Sequence, residues 1–231
     1  MKVAIHQPNY LPWIGYFDKL DQVDQFVILD KALHSKSSYI HRSKIKTPDG
    51  SLTLTIPLKN KEQSINELQI ADDDKWQRNH WKAIESNYKR TAYWSMYKDG
   101  FEQLYHKKWT YLCPFNIELI QHIKSLLNIQ TEILLESDFQ RDFGRKNERN
   151  VNIVSHLGGD LYLSGIGARV YNDEHQFHER KIQLIYQDFT HPIYPQRWGD
   201  FQPNLSIIDM LFHCGPETIN IIRKQRKNGI N

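Results

Sequence analysis

The residues best equipped for chemistry crowd the first part of the chain: His6, Gln7, Tyr10, Trp13, Asp30, His41 and Arg42. A carboxylate, an imidazole and a guanidinium together supply a general base, an acid and an anion clamp. His6 or His41 is a candidate base, Asp30 a group that orients it, and Arg42 a holder of phosphate. Gln7 and Tyr10 offer hydrogen bonds to a ligand. Trp13 and Gly15 lie in the same loop, and Gly15 permits close backbone approach at a helix start, where free N–H groups attract phosphate. Far along the chain, the stretch 188–201 is rich in Pro, aromatic and hydrogen-bonding side chains and suits a polar ligand such as a sugar. Gln196 and, further on, Asp209 complete the binding candidates.

These groups need elements to position them. Val3-Ala4-Ile5 is an apolar run that Pro8 must end, so it reads as a buried strand, and Phe26–Leu29 as a second. Between them lie a loop holding Pro8, Pro12 and Gly15 and a short helix over about 15–22, with Tyr16, Phe17 and Leu20 on one face. The loop then opens at the carboxyl end of the first strand, where open α/β sheets bind ligands. Lys31–Lys46 is polar, and the turn Thr47-Pro48-Asp49-Gly50 leads into the alternating, half-buried strand 51–57. The pattern from Asp74 to Asn128 is helical, with Trp76, His80, Ile84 and Tyr88 at fourfold spacing and Asp72–Asp74 as a cap. A helix entered from Pro114 spans Phe115–Leu127.

Further strands are predicted over Thr131–Leu135, Leu161–Gly165 and Ile182–Tyr186, a mobile loop over Gln140–Asn150 and a helix over Asn147–Leu157. A last helical region begins near Asn204, capped by Asn204 or Ser206, and the basic tail Arg223–Lys227 stops at Gly229. The expected architecture is one α/β domain over 1–231, a Rossmann-like layered sheet with flanking helices and a helical middle insertion at about 74–128.

Composition excludes several classes. The 231 residues include 6 Trp, 12 Tyr and 10 Phe, an aromatic load that needs a packed interior. A net charge of +3 falls short of the basic field of a dedicated nucleic-acid binder, so no specific nucleic-acid partner is expected. Two cysteines, Cys113 and Cys214, rule out a disulfide framework. With mean hydropathy −0.65 and no run of about 18 apolar residues, the chain is expected to be cytoplasmic and not membrane-inserted. His175 and His178 share a helical face, but no zincin spacing accompanies them, and no metal is assigned. Gly165-Ile166-Gly167 starts like a dinucleotide fingerprint and lacks its third glycine. No cofactor or oligomeric state follows from the residues.

Two resemblances add to this reading. Trp13-Ile14-Gly15-Tyr16 stands where nucleotidyl-transferring α/β enzymes carry His-x-Gly-His, with both histidines replaced. The chain as a whole resembles the WbqC-like family. The resemblance rests on His6–Phe17, Val27-Ile28-Leu29-Asp30, Arg42 within Tyr39–Ile45, Thr55-Ile56-Pro57-Leu58 and Tyr162-Leu163-Ser164-Gly165. His191–Gln196 and Leu205–Phe212 complete it. Members often carry two acidic residues after the second strand, where this chain has Asp30-Lys31, and often Asn where it has His41.

The resemblance implies a bacterial protein linked to O-antigen and other surface-polysaccharide gene clusters, with glycine transfer a proposed role in the family. The leading expectation is an acyl- or aminoacyl-transferase acting on a small-molecule substrate, a nucleotide sugar or an amino sugar. The alternatives are a nucleotide-dependent transferase with a degenerate His-x-Gly-His-type site and a non-catalytic sugar-nucleotide-binding or scaffold protein.

Overall fold

The structure, a computed structural model, describes residues 1–35, 38–73 and 75–226. Strand β1 (Lys2–His6) is followed by helix α1 (Ile14–Asp21) and β2 (Gln25–Ile28). A hairpin, β3 (Arg42–Thr47) and β4 (Gly50–Thr55), precedes α2 (Lys75–Tyr88), α3 (Trp94–His106) and α4 (Leu112–Leu126). Then come β5 (Glu132–Leu135), α5 (Lys146–His156), β6 (Leu161–Ser164), α6 (Glu174–Glu179), β7 (Gln183–Tyr186), α7 (Ile207–Cys214) and α8 (Thr218–Arg223).

Five strands form one sheet in the order β5-β2-β1-β6-β7, and every pairing in it is parallel. A parallel sheet must be covered on both faces, and the period of two in β1 does this. Ala4 faces a cluster with Phe26, Ile28, Leu163 and the helices α1, α4 and α7, whereas Val3 and Ile5 face Val27, Tyr162 and Phe177 and the apolar side of α5. Burying each such side chain contributes roughly 1.5–3 kcal/mol. This is the Rossmann-like layering that the strand and helix pattern predicts.

The region predicted to be helical, with a separate helix entered from Pro114, is helical. It divides into three helices, and Pro114 lies inside the first turn of α4, where a missing N–H costs nothing. Asp73 accepts the backbone N–H of Lys75 at 2.9 Å and caps α2; Asp74 lies outside the described residues, as do Lys227 and Gly229. The fourfold series Trp76, His80, Ile84 and Tyr88 is buried. Rings of Trp81, Trp94, Tyr105 and Phe212 pack at centroid separations of 5.0–6.0 Å.

Two loop readings are corrected. The polar stretch before the turn contains β3, whose Ile45 is buried while Lys44 is exposed; Gly50, at φ 112°, closes the hairpin. The stretch 140–150 is a short turn followed by α5, with Phe143 buried and Arg149 paired to Glu136 at 3.2 Å. Ser206, not Asn204, caps α7, accepting from the N–H of Ile208. No described helix is long and apolar enough to cross a membrane.

Candidate active site

The chain departs from β1 towards β2 and β5, and later fills the other side with β6 and β7. Connections that diverge in this way leave a crevice beyond the carboxyl ends of β1 and β6. A cavity of about 520 Å³ lies there, walled by His6, Gln7, Trp13, Gly15, Tyr16 and Lys19 from the first strand–helix unit. Asn150, Ser164, Gly165, Gly167, Tyr171 and Gln187 close the far side. A second cavity of about 640 Å³ lies between loop 9–13 and the β3–β4 hairpin, lined by Tyr10, Arg42, Lys44, Gln202 and Ser206 among others. His6 and Trp13 line both cavities.

The remote segment after residue 201 completes the second cavity because the backbone ties it there. Ile207 N–H donates to Pro12 O at 2.9 Å and Ser206 N–H to Lys44 O at 2.8 Å, while Trp13 and Ser206 form an antiparallel bridge. The amino-terminal and carboxy-terminal loops therefore meet.

His6 ends β1 with its ring edge-on to Tyr16 at 4.8 Å and Nδ1 at 3.1 Å from Gln7 O. That contact requires Nδ1 to donate and leaves Nε2 as the lone-pair nitrogen. Burial, and next the cation of Lys19, hold its pKa down to about 3, so the ring is neutral at neutral pH. Lys19 lies in the last turn of α1, is 3% exposed, and donates from Nζ to Ile5 O at 3.2 Å. Burial lowers its pKa to about 7. Asp18 beside it in sequence is turned away, to Arg226 at 2.7 Å and Gln187 at 2.6 Å.

Gly15 has a packing reason. A Cβ there would lie 2.1 Å from the Trp13 indole, so the glycine lets Trp13 fold over the start of α1. Trp13 in turn meets Phe189 edge-on at 5.9 Å. Gln7 lines the first cavity. Arg42, half-buried, lines the second. Tyr10 borders that cavity, but its hydroxyl is committed to His80 Nδ1 at 2.9 Å and to the Tyr105 hydroxyl.

The other sequence candidates lie apart. His41 lines neither cavity; it meets His34 edge-on at 5.2 Å, its buried Nδ1 has no hydrogen-bond partner among the described residues, and burial followed by Arg42 lowers its pKa to about 4. Asp30 accepts the N–H of Ser137 at 3.0 Å, not an imidazole N–H. Gln196 and Asp209 form a buried knot. Asp209 Oδ1 accepts from Tyr88 at 2.9 Å, and Oδ2 from Tyr194 at 2.8 Å and Gln196 at 2.9 Å. Gln196 also accepts from Lys46 Nζ at 3.2 Å and from Gln202 N at 2.9 Å. The knot positions the wall of the second cavity and presents no polar group to it.

The sequence carries no signal for Lys19, Asn150 and Gln187 as cavity residues, whereas Ser164 and Gly165 fall in a resemblance motif and Gly165-x-Gly167 in a partial fingerprint. Burial raises the thiols of Cys113 and Cys214, to about 12 and about 11, which suits packing and not nucleophilic attack. Among the described residues, no group of three His, Cys, Asp or Glu is placed to hold a metal ion; His175 meets Glu179 at the surface.

The chain matches the WbqC-like protein family over residues 7–221. It is 36% identical over 231 residues to the uncharacterized protein Rv1507c of Mycobacterium tuberculosis, covering 98% of this chain and 99% of that relative. No solved structure matches it. The motifs around the two cavities and a match over nearly the whole length lead to one conclusion: this chain belongs to the WbqC-like protein family.

Proposed function

We propose that the protein is an acyl- or aminoacyl-transferase that modifies an amino sugar or nucleotide sugar used in surface-polysaccharide synthesis. The observation that carries this reading is the sharing of His6 and Trp13 by two cavities, which suits two substrates meeting at one imidazole. The family resemblance supplies the polysaccharide context. In the reaction, the acceptor's amine or hydroxyl attacks the donor carbonyl. A C–N or C–O bond forms, the bond to the leaving group breaks, and the proton lost by the nucleophile passes to His6 Nε2 and on to the leaving group. Burial and Lys19 both weaken His6 as a base; a donor anion beside Lys19 offsets the second cause and raises its basicity. Arg42 holds the anionic part of the substrate in the second cavity.

The test is transfer from acyl-CoA thioesters or aminoacyl donors to amino sugars and nucleotide sugars, read by mass spectrometry. His6→Ala should reduce turnover by about a hundredfold or more, with the fold intact by circular dichroism. Full turnover in that variant, or a loss that falls at His41→Ala instead, overturns the assignment.

A second reading, a nucleotide-dependent transferase, is favoured by one observation: the sheet order places the first cavity at the switch point where open α/β sheets take nucleotides. It requires a thermal shift with ATP or CTP alone, and no transfer from thioesters.

A further inference from the structure

The walls of the first cavity carry one formal charge. Among the described residues that line it, Lys19 is the one lysine or arginine, and no aspartate or glutamate accompanies it. A buried ammonium is normally paired, because removing it from water costs several kcal/mol. Here the nearest carboxylates point elsewhere: Asp18 and Asp21 both serve Arg226, and Asp21 also takes both donors of Arg223. Among the described residues Lys19 makes one hydrogen bond, to a neutral carbonyl. Its Nζ also lies over the Phe26 ring, 5.9 Å from the centroid, so among the described residues two of its three N–H donors have no hydrogen-bond acceptor.

The remaining wall also suits an oxyanion. Gln7 and Ser164, two residues with groups able to donate, line it, Ser164 also accepting from Asn172 at 3.0 Å, and the neutral ring of His6 adds no opposing charge. Gly165 and Gly167 leave open space where side chains would otherwise stand.

We propose that the first cavity is an oxyanion-binding site in which Lys19 grips the phosphate or carboxylate of a small-molecule ligand. This deepens the transferase reading, since it names the cavity that holds the acidic part of a substrate. It rests on that reading only for the identity of the ligand. Lys19 is a binding residue here: among the described residues it has no counter-ion, and an anion bound beside it would favour its ammonium form.

The experiment is calorimetric titration of the full chain with inorganic pyrophosphate and, separately, with acetate, comparing the natural protein with Lys19→Met and Lys19→Arg. The natural protein should bind at least one of the two, Lys19→Met should weaken that binding about tenfold or more, and Lys19→Arg should retain most of it. Preference for pyrophosphate identifies a phosphate ester as the ligand group, and preference for acetate a carboxylate.

Gly165→Asp provides a test that leaves Lys19 untouched. Gly165 has φ −71° and ψ 146°, and a Cβ there meets nothing within 4 Å, so the variant should fold and weaken binding by placing a carboxylate on the wall. Equal affinity in the natural protein and folded Lys19→Met, or no binding of either anion, overturns the proposal. Unchanged affinity in Gly165→Asp overturns it even if Lys19→Met does not fold. Because the titration needs no turnover, anion binding without transfer would sink the reaction and leave this site standing.

Discussion

Two buried polar clusters in this protein follow opposite rules. Around Asp209, every group has a partner: both carboxylate oxygens accept hydroxyl donors, Tyr88 also accepts the N–H of Lys46, and Lys46 Nζ reaches Gln196 and the carbonyl of Asp200. At the mouth of the sheet, an ammonium has one hydrogen bond, to a carbonyl, and the face of Phe26, and the hydroxyl of Tyr16 has no hydrogen-bond partner among the described residues. Both clusters contain a lysine that is nearly inaccessible, Lys46 at 2% and Lys19 at 3%. Burial by itself therefore does not distinguish a structural polar group from a functional one. Internal satisfaction does, because a group the fold leaves half-partnered is available to a ligand.

The largest effect that would break this contrast is expected at the satisfied cluster. Asp209→Ala strands two tyrosine hydroxyls and an amide, and should cost about 3–5 kcal/mol in a urea unfolding series. A loss below about 1 kcal/mol would mean that the knot is not what holds α7 to the hairpin.

Next comes pH. Lys19 has a lower pKa folded than unfolded, so its burial penalty is fully present below about pH 7 and is relieved as pH rises from there towards the unfolded value of 10.5. Lys19→Met should thus be more stable than the natural protein at pH 6, with the difference shrinking as pH climbs above 7. A pH-independent difference would show that Lys19 is not buried as a cation.

His6 gives a similar but lower window: its neutral form is held in the fold, so stability is lost as pH falls from 6.5 towards about 3. His6→Gln should flatten that part of the curve. The smallest effect belongs to Arg223→Ala, since that arginine is about half exposed; a loss of about 0.2–1 kcal/mol is expected. A larger loss would mark the pairing with Asp21 as part of the sheet-mouth cluster.

Much of the scaffold is legible in the residues, and the reasons are local. Val3–Ile5 and Phe26–Leu29 announce strands because parallel strands are buried on both faces and read as unbroken apolar runs. β3 is hidden because Arg42, Lys44 and Lys46 alternate with small or apolar residues and look like a solvated stretch, yet Lys46 turns out to be buried against Gln196. In the site, His6, Gln7 and Trp13 are found by their loop's place after the first strand. Lys19 is not, since Asp18-Lys19 in a short helix looks like a solvent face. What encloses it is β6 and the turn after it, whose pairing of Lys2 with Leu161 is a long-range event that no local pattern announces. Gln196 and Asp209 read from the sequence as ligand hydrogen-bonders, whereas in the structure their bonds go to Tyr88, Tyr194, Lys46 and one another.

The clamp of Arg226 on Asp18 joins residues 208 positions apart in sequence. That distance has a temporal meaning. During synthesis the two acidic residues of α1 lack their cationic partners until residues 202 and 208 positions further on have been made. Contacts of such long range form late, after the closure entropy of the intervening chain has been overcome. The clamp on α1, the helix that carries Lys19, is therefore among the last contacts of the molecule to set, and a nascent chain carrying a formed β1–β2 pair would still lack it.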